Sequence, residues 1–172
     1  MSNKRYEEDV KSRYDPISRG GIHTICRYYG YEWEDIKEGN GVYKYDVLIK
    51  TPGELLIPSR LEGMVRWGWD NKEDYWDNIV VDSPQDYIGS KEKILHIWAR
   101  KWKCFDEDEI TRFFIFDMQG FLFRYIDLTR EEFDTYLKVK IKMPNNKELD
   151  TILWIPLSDW SSVHSIEEFI KW

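Results

Sequence analysis

Tyr43-Lys44-Tyr45-Asp46-Val47-Leu48-Ile49-Lys50 and, beyond a Thr51-Pro52-Gly53-Glu54 turn, Leu61-Glu62-Gly63-Met64-Val65-Arg66 read as two strands, each carrying an acidic residue inside an apolar run. Strand residues two apart share a face, so Glu62, Met64 and Arg66 project together, as do Val42, Lys44, Asp46, Leu48 and Lys50 on the first strand. A carboxylate within an apolar strand costs desolvation free energy unless something pairs it. Two carboxylates on neighbouring strands can hold a hard divalent cation through oxygen, and the cation steadies a phosphate or an attacking water. The competing reading is a half-wet sheet, with Asp46 facing solvent beside the lysines and Arg60, Glu62 and Arg66 pairing at the surface.

Outward from this pair the elements alternate. Residues 1–17 are charged and irregular, with Pro16 at their boundary. From Ser18 to Tyr29, Ile22, Ile25, Cys26 and Tyr29 recur at helical spacing and Gly30 ends the helix, with His23 on its solvent side. Gly39-Asn40-Gly41 turns the chain into a strand over Val42–Lys50, with Asp46 in its middle, and Leu55–Ile57 and Ser59–Trp67 complete a meander. Ile79-Val80-Val81 is a short apolar run stopped by Asp82-Ser83-Pro84. Lys93–Trp102 reads as a strand buried on both faces. Asp106–Glu109 is an acidic loop without calcium-ligand spacing. Ile110–Phe116 and Phe121–Ile126 form a hairpin around Asp117-Met118-Gln119-Gly120. Thr129-Arg130-Glu131-Glu132 is a capping box opening a helix to about Leu137. Lys138–Met143 and Thr151–Leu157 make a second hairpin, and Ser165-Ile166-Glu167-Glu168 caps a terminal helix ending at Trp172.

A chain of 172 residues is long enough for one domain with a substantial core and short for two. No apolar run reaches the roughly 20 residues that span a bilayer, and Met1-Ser2-Asn3-Lys4-Arg5 has no apolar stretch behind it. We therefore expect a single domain without membrane insertion, in the cytoplasm, with Cys26 and Cys104 as buried free thiols. The sequence offers no glycine-rich phosphate loop, no Gly-x-Ser-x-Gly elbow, no His-Glu-x-x-His and no Cys-x-x-Cys, which sets aside zinc and serine chemistry.

The net charge of −7 excludes a general DNA coater, because Lys and Arg supply most non-specific affinity for the phosphate backbone. Two basic patches remain: Arg100-Lys101-Trp102-Lys103, and Lys138, Lys140 and Lys142 with Lys147. For the second, a solvated sheet face or a lysine-protected edge is the competing reading. Aromatic residues make up 16% of the chain, mostly for the core. Trp67, Trp69, Tyr75 and Trp76 lie in a polar stretch, where exposed rings can stack on bases or anchor a protein partner.

The order of a helix, an Asp strand, a Glu strand and a tryptophan-rich run resembles the PD-(D/E)XK nuclease superfamily, particularly small phage and bacterial members, over roughly residues 18–126. The resemblance implies an α+β, restriction-endonuclease-like fold: a central mixed or mostly antiparallel sheet flanked by helices, with residues 127–172 as a helix-hairpin-helix extension. It also implies a Mg2+-dependent DNA endonuclease with Asp46 and Glu62 on the metal. The motif asks for a lysine two residues after its second carboxylate, and Met64 stands there. Arg66 would then act on the phosphate as a fixed charge and not as a base. Trp67, Trp69, Trp76, Arg100, Lys101 and Lys103 are the expected nucleic-acid or partner contacts. Three readings stay open: an active endonuclease, a relative that has lost its metal chemistry and binds nucleic acid or protein, and an acidic interaction protein such as a phage factor acting in a host cytoplasm.

Overall fold

The computed structural model describes residues 15–36, 45–50, 58–65, 80–82, 94–105, 109–117, 119–142 and 149–170. They form a mixed α/β structure with two sheets. The six-stranded sheet has the order β1-β2-β3-β6-β7-β10, from β1 (Trp33–Asp35), β2 (Val47–Ile49), β3 (Arg60–Val65), β6 (Thr111–Phe116), β7 (Leu122–Leu128) and β10 (His164–Ser165). The four-stranded sheet runs β4 (Val80–Asp82), β8 (Leu137–Lys142), β9 (Leu149–Trp154), β5 (Ile97–Trp98). Helices α1 (Asp15–Tyr29), α2 (Arg130–Thr135) and α3 (Ile166–Ile170) complete the order. Among the described residues no helix is long and apolar enough to cross a membrane.

β3 and β6 are parallel, with Glu62 beside Phe113, while the other strand pairs of the six-stranded sheet are antiparallel. The sheet is therefore mixed, and β6 sits at its centre. Period-2 alternation then sorts β6 onto two cores. Phe114 and Phe116 pack with Val47, Leu61, Phe123 and the α1 residues Ile22, Ile25 and Cys26. Phe113 and Ile115 pack with Met64 and, from the second sheet's side, Leu95, Ile97, Leu153 and Ile155. All four β6 residues are fully buried, each removing apolar area from water to the extent of about 1.5–3 kcal/mol.

Helix α1 lies close on β3. A Cβ at Gly63 would come within 2.9 Å of Ser18 Cβ and 3.0 Å of Ile22 Cδ1. Glycine is required there by the approach of the helix, which packs Ser18 and Ile22 against the strand that carries Glu62.

Several expectations are refined. α1 begins at Asp15, three residues before Ser18, because proline is tolerated in a first helical turn where its missing N–H has no acceptor to serve. Asp46 is not in mid-strand. It precedes β2, where its carboxylate and carbonyl serve other groups. β1, a three-residue half-exposed strand, carries no alternation for a sequence reading to find. The expected strand over Lys93–Trp102 keeps pairing only at Ile97–Trp98, with a bridge from Ile94 to Pro156, and then closes into a 3-10 helix, Ala99–Cys104. Burial on both faces does hold for residues 94–98. β8 lies between β4 and β9, so its lysines do not guard an edge; Lys138 and Lys140 are exposed while Val139 is buried, as a solvated face requires. The hairpin β6–β7 forms with Asp117 Oδ1 accepting from the N–H of Phe121 and Leu122 and Gly120 at φ 73°. Both capping boxes form, at Thr129 with Glu132 and at Ser165 with Glu168. The first of these helices stops at Thr135, before the expected Leu137.

Candidate functional site

Asp46 and Glu62 do meet. Val47 pairs with Leu61 in the antiparallel β2–β3 ladder, and the next step outward sets Asp46 across from Glu62. Asp46 Oδ2 accepts the backbone N–H of Gly63, the residue after Glu62, at 2.9 Å. Its Oδ1 accepts from Arg19 Nη2 at 3.1 Å, and its carbonyl oxygen accepts from Arg19 Nη1 at 3.1 Å. One guanidinium from α1 thus clamps both the side chain and the main chain of Asp46. Arg19 also faces Asp35 of β1 at 3.8 Å, and Asp35 in turn holds His23 Nε2 at 2.6 Å. His23 is therefore not a bare surface histidine; its ring stacks on Trp33 with centroids 5.2 Å apart.

Glu62 is 2% exposed. Its Oε1 is ion-paired with Lys101 Nζ. Its Oε2 is buried and has no hydrogen-bond partner among the described residues. Burial pushes the Glu62 carboxyl up to about 7, the Asp46 charge pushes the same way, and Lys101 and Arg19 pull back. For Lys101, burial favours the neutral amine, but Glu62 and, more weakly, Asp46 outweigh it and raise the ammonium above its ordinary range. Lys101 therefore remains a cation at neutral pH.

The 3-10 helix explains how Lys101 reaches this place. With three residues per turn, side chains three apart eclipse. Lys101 and Cys104 share one face, and both feel the Glu62 and Asp46 charges. Burial and then Glu62 hold the Cys104 thiol well above its usual range, so it stays protonated and inert. Cys26 is likewise buried and free, pushed up to about 11 by burial and then by Asp35.

The expected surface pairing of Arg60 and Glu62 does not occur. Both are buried, and Arg60 is ion-paired with Glu109 instead. Arg66, Trp67, Trp69, Tyr75 and Trp76 lie outside the described residues. Arg100, Lys101 and Lys103 do not form one patch: Lys101 turns in to Glu62, Arg100 lies over Trp98 and pairs with Asp150 at 3.2 Å, and Lys103 lies over Trp102. Sequence reasoning missed Arg19, the Gly63 amide and the inward turn of Lys101. The first two carry no local signal; the third was hidden by reading residues 93–102 as a strand.

Among the described residues no group of three or more Asp, Glu, His or Cys side chains gathers as a ligand cluster. The donor set is two carboxylates, one of them with an unpartnered buried oxygen. That set fits a small hard cation of the Mg2+ type, which binds through one or two carboxylates and fills its shell with water and substrate phosphate. No family model, curated protein or solved structure matches the chain.

Proposed function

We propose that this chain is a divalent-metal-dependent phosphodiesterase acting on DNA, of the PD-(D/E)XK type on a restriction-endonuclease-like core. The observation that carries the reading is Glu62. A buried carboxylate beside a second carboxylate, with one oxygen on a lysine and the other without a partner among the described residues, is costly to keep for structure alone. It is the arrangement a bound cation would complete. The order of α1, the β1–β2–β3 meander and a later strand parallel to β3 supports the same core.

Asp46 and Glu62 would hold the metal. When bound, Mg2+ supplies Lewis-acid polarisation of a phosphoryl oxygen and a more acidic water. Lys101 takes the part that Met64 leaves vacant and that we now assign to it in place of Arg66. Its ammonium has three donors and Glu62 takes one, so two remain for a phosphate oxygen. Being held in its charged form, it stabilises developing negative charge and does not accept a proton. Arg19 fixes the Asp46 carboxylate in one orientation and so positions it without touching substrate.

The test is cleavage of plasmid and oligonucleotide DNA in Mg2+ or Mn2+ by the full chain. We expect Asp46→Ala, Glu62→Gln and Lys101→Ala each to lower the rate by about 100-fold or more, in proteins with unchanged far-UV spectra. A wild-type chain that cuts nothing and whose melting temperature ignores Mn2+ would leave a compact interaction protein and no enzyme.

A further inference from the structure

The 3-10 helix that turns Lys101 inward presents Trp102 outward. Three residues per turn separate adjacent side chains by a third of a revolution, so the indole flanks the site and does not line its floor. Trp102 is 47% exposed, in a chain whose other described tryptophans are buried or half-buried. Two cations lie close to it: Arg130 Cζ is 5.0 Å from the ring centroid and Lys103 Nζ 5.9 Å. Arg130 opens α2, and its guanidinium also meets Asp134 at 3.2 Å. An overall charge of −7 repels a nucleic-acid backbone, and this basic and aromatic cluster, one residue from the lysine on Glu62, is a place where a strand can approach.

We infer that Trp102, with Lys103 and Arg130, is a stacking platform for an unpaired base, and that the chain selects single-stranded DNA next to the phosphodiester it cleaves. This rests on the phosphodiesterase reading above and specifies its substrate. An exposed ring with two cations close to it serves the two parts of a nucleotide separately. The indole takes the base by its face, whatever its identity, and the cations move from the ring to the flanking phosphates. In a duplex those base faces are already stacked on one another, so a double helix offers the ring nothing without first being opened.

Binding is separable from cleavage. With the full-length Glu62→Gln chain in EDTA, fluorescence anisotropy of a dye-labelled oligothymidine should give tighter binding than a blunt duplex of equal length. Trp102→Ala should weaken the single-strand affinity about tenfold or more, and Trp102→Phe should keep most of it. Lys103→Ala should reduce the salt dependence of binding by about 0.7 in log–log slope, the share of one phosphate contact on a single strand. Equal affinity for both DNA forms, or a Trp102→Ala chain that binds as the parent does, would overturn the platform. If Trp102-dependent binding is present in a wild-type chain that cuts no DNA in Mg2+, the platform stands and the phosphodiesterase reading fails. If the wild type cuts duplex and Trp102→Ala cuts it equally, the reverse holds.

Discussion

Two ion pairs on the six-stranded sheet look alike in sequence and differ in every physical respect. Arg112 and Asp127 face each other across β6 and β7 and make a bidentate contact, Nε to Oδ1 at 2.7 Å and Nη2 to Oδ2 at 2.8 Å, with Arg112 also over the Tyr125 ring at 4.1 Å. Both carboxylate oxygens are used, and Asp127 keeps 35% of its side chain in water. Lys101 and Glu62 instead come from separate segments and use one carboxylate oxygen, while the other, in a side chain that is almost completely buried beside a second carboxylate, has no partner among the described residues. The first pair closes its own hydrogen-bond account and holds two strands together. The second is left open among the described residues, and an open buried carboxylate is costly to keep.

The largest expected difference between the pairs is in their response to pH. The folded chain holds the Glu62 proton up to about 7, against an ordinary value of 4.5. A raised carboxyl binds more protons folded than unfolded, so its stabilising contribution is complete below about 4.5 and is lost as pH climbs through 7. Relative to Glu62→Gln, the wild type should therefore lose stability across that window, by on the order of 3 kcal/mol at most. Urea midpoints of the two proteins at intervals from pH 5 to pH 8, pH values chosen to span the window, measure it, and Mn2+ at the upper end should restore the loss in the wild type alone. A flat difference would mean that burial costs the Glu62 carboxylate nothing.

Breaking the closed pair should act on folding only. Arg112→Met removes two charge-assisted hydrogen bonds from a site where the arginine is 5% exposed and its partner is half-solvated. We expect a loss of about 2 kcal/mol by chemical denaturation, with cleavage per folded molecule unchanged. A cleavage defect beyond the loss of folded protein would show that the two pairs are coupled through β6.

The smallest effect should come from Gly63→Ala, which touches the open pair without changing a charge. The added methyl must push against Ser18 and Ile22 of α1, costing about 1–2 kcal/mol by overpacking. Because the Gly63 amide donates to Asp46, the same shift should slow cleavage more than it lowers the melting temperature would explain. Parallel loss of both would assign the glycine to packing alone.

How much of this the sequence carries depends on how local the determinant is. The β6–β7 hairpin, the two capping boxes and the apolar face of α1 rest on residues within a few positions of one another, and they were legible. So was the convergence of Asp46 and Glu62, because a meander leaves neighbouring strands little choice. The parallel join of β3 to β6 spans a long stretch of chain and has no local signature. Lys101 was legible as an expected nucleic-acid or partner contact but not as the partner of Glu62, since Ile94–Trp98 continue a strand pattern smoothly into residues that turn as a 3-10 helix. Arg19 sits on the polar side of a helix, where any arginine would be unremarked.

The segment that delivers Lys101 is moored to residues 152–160, much later in the chain. Leu95 N–H donates to Ile155 carbonyl at 3.0 Å, Trp160 Nε1 donates to Leu95 carbonyl at 3.1 Å, and Ile97 and Trp98 pair with Leu153 and Ile152. A nascent chain can lay down both acidic strands early, yet it has no berth for the lysine until β9 and the turn after it have been synthesised. Maturation of the charge cluster thus waits on residues 149–160, and a chain cut before Leu149 would keep the carboxylates while losing their cationic partner's anchorage.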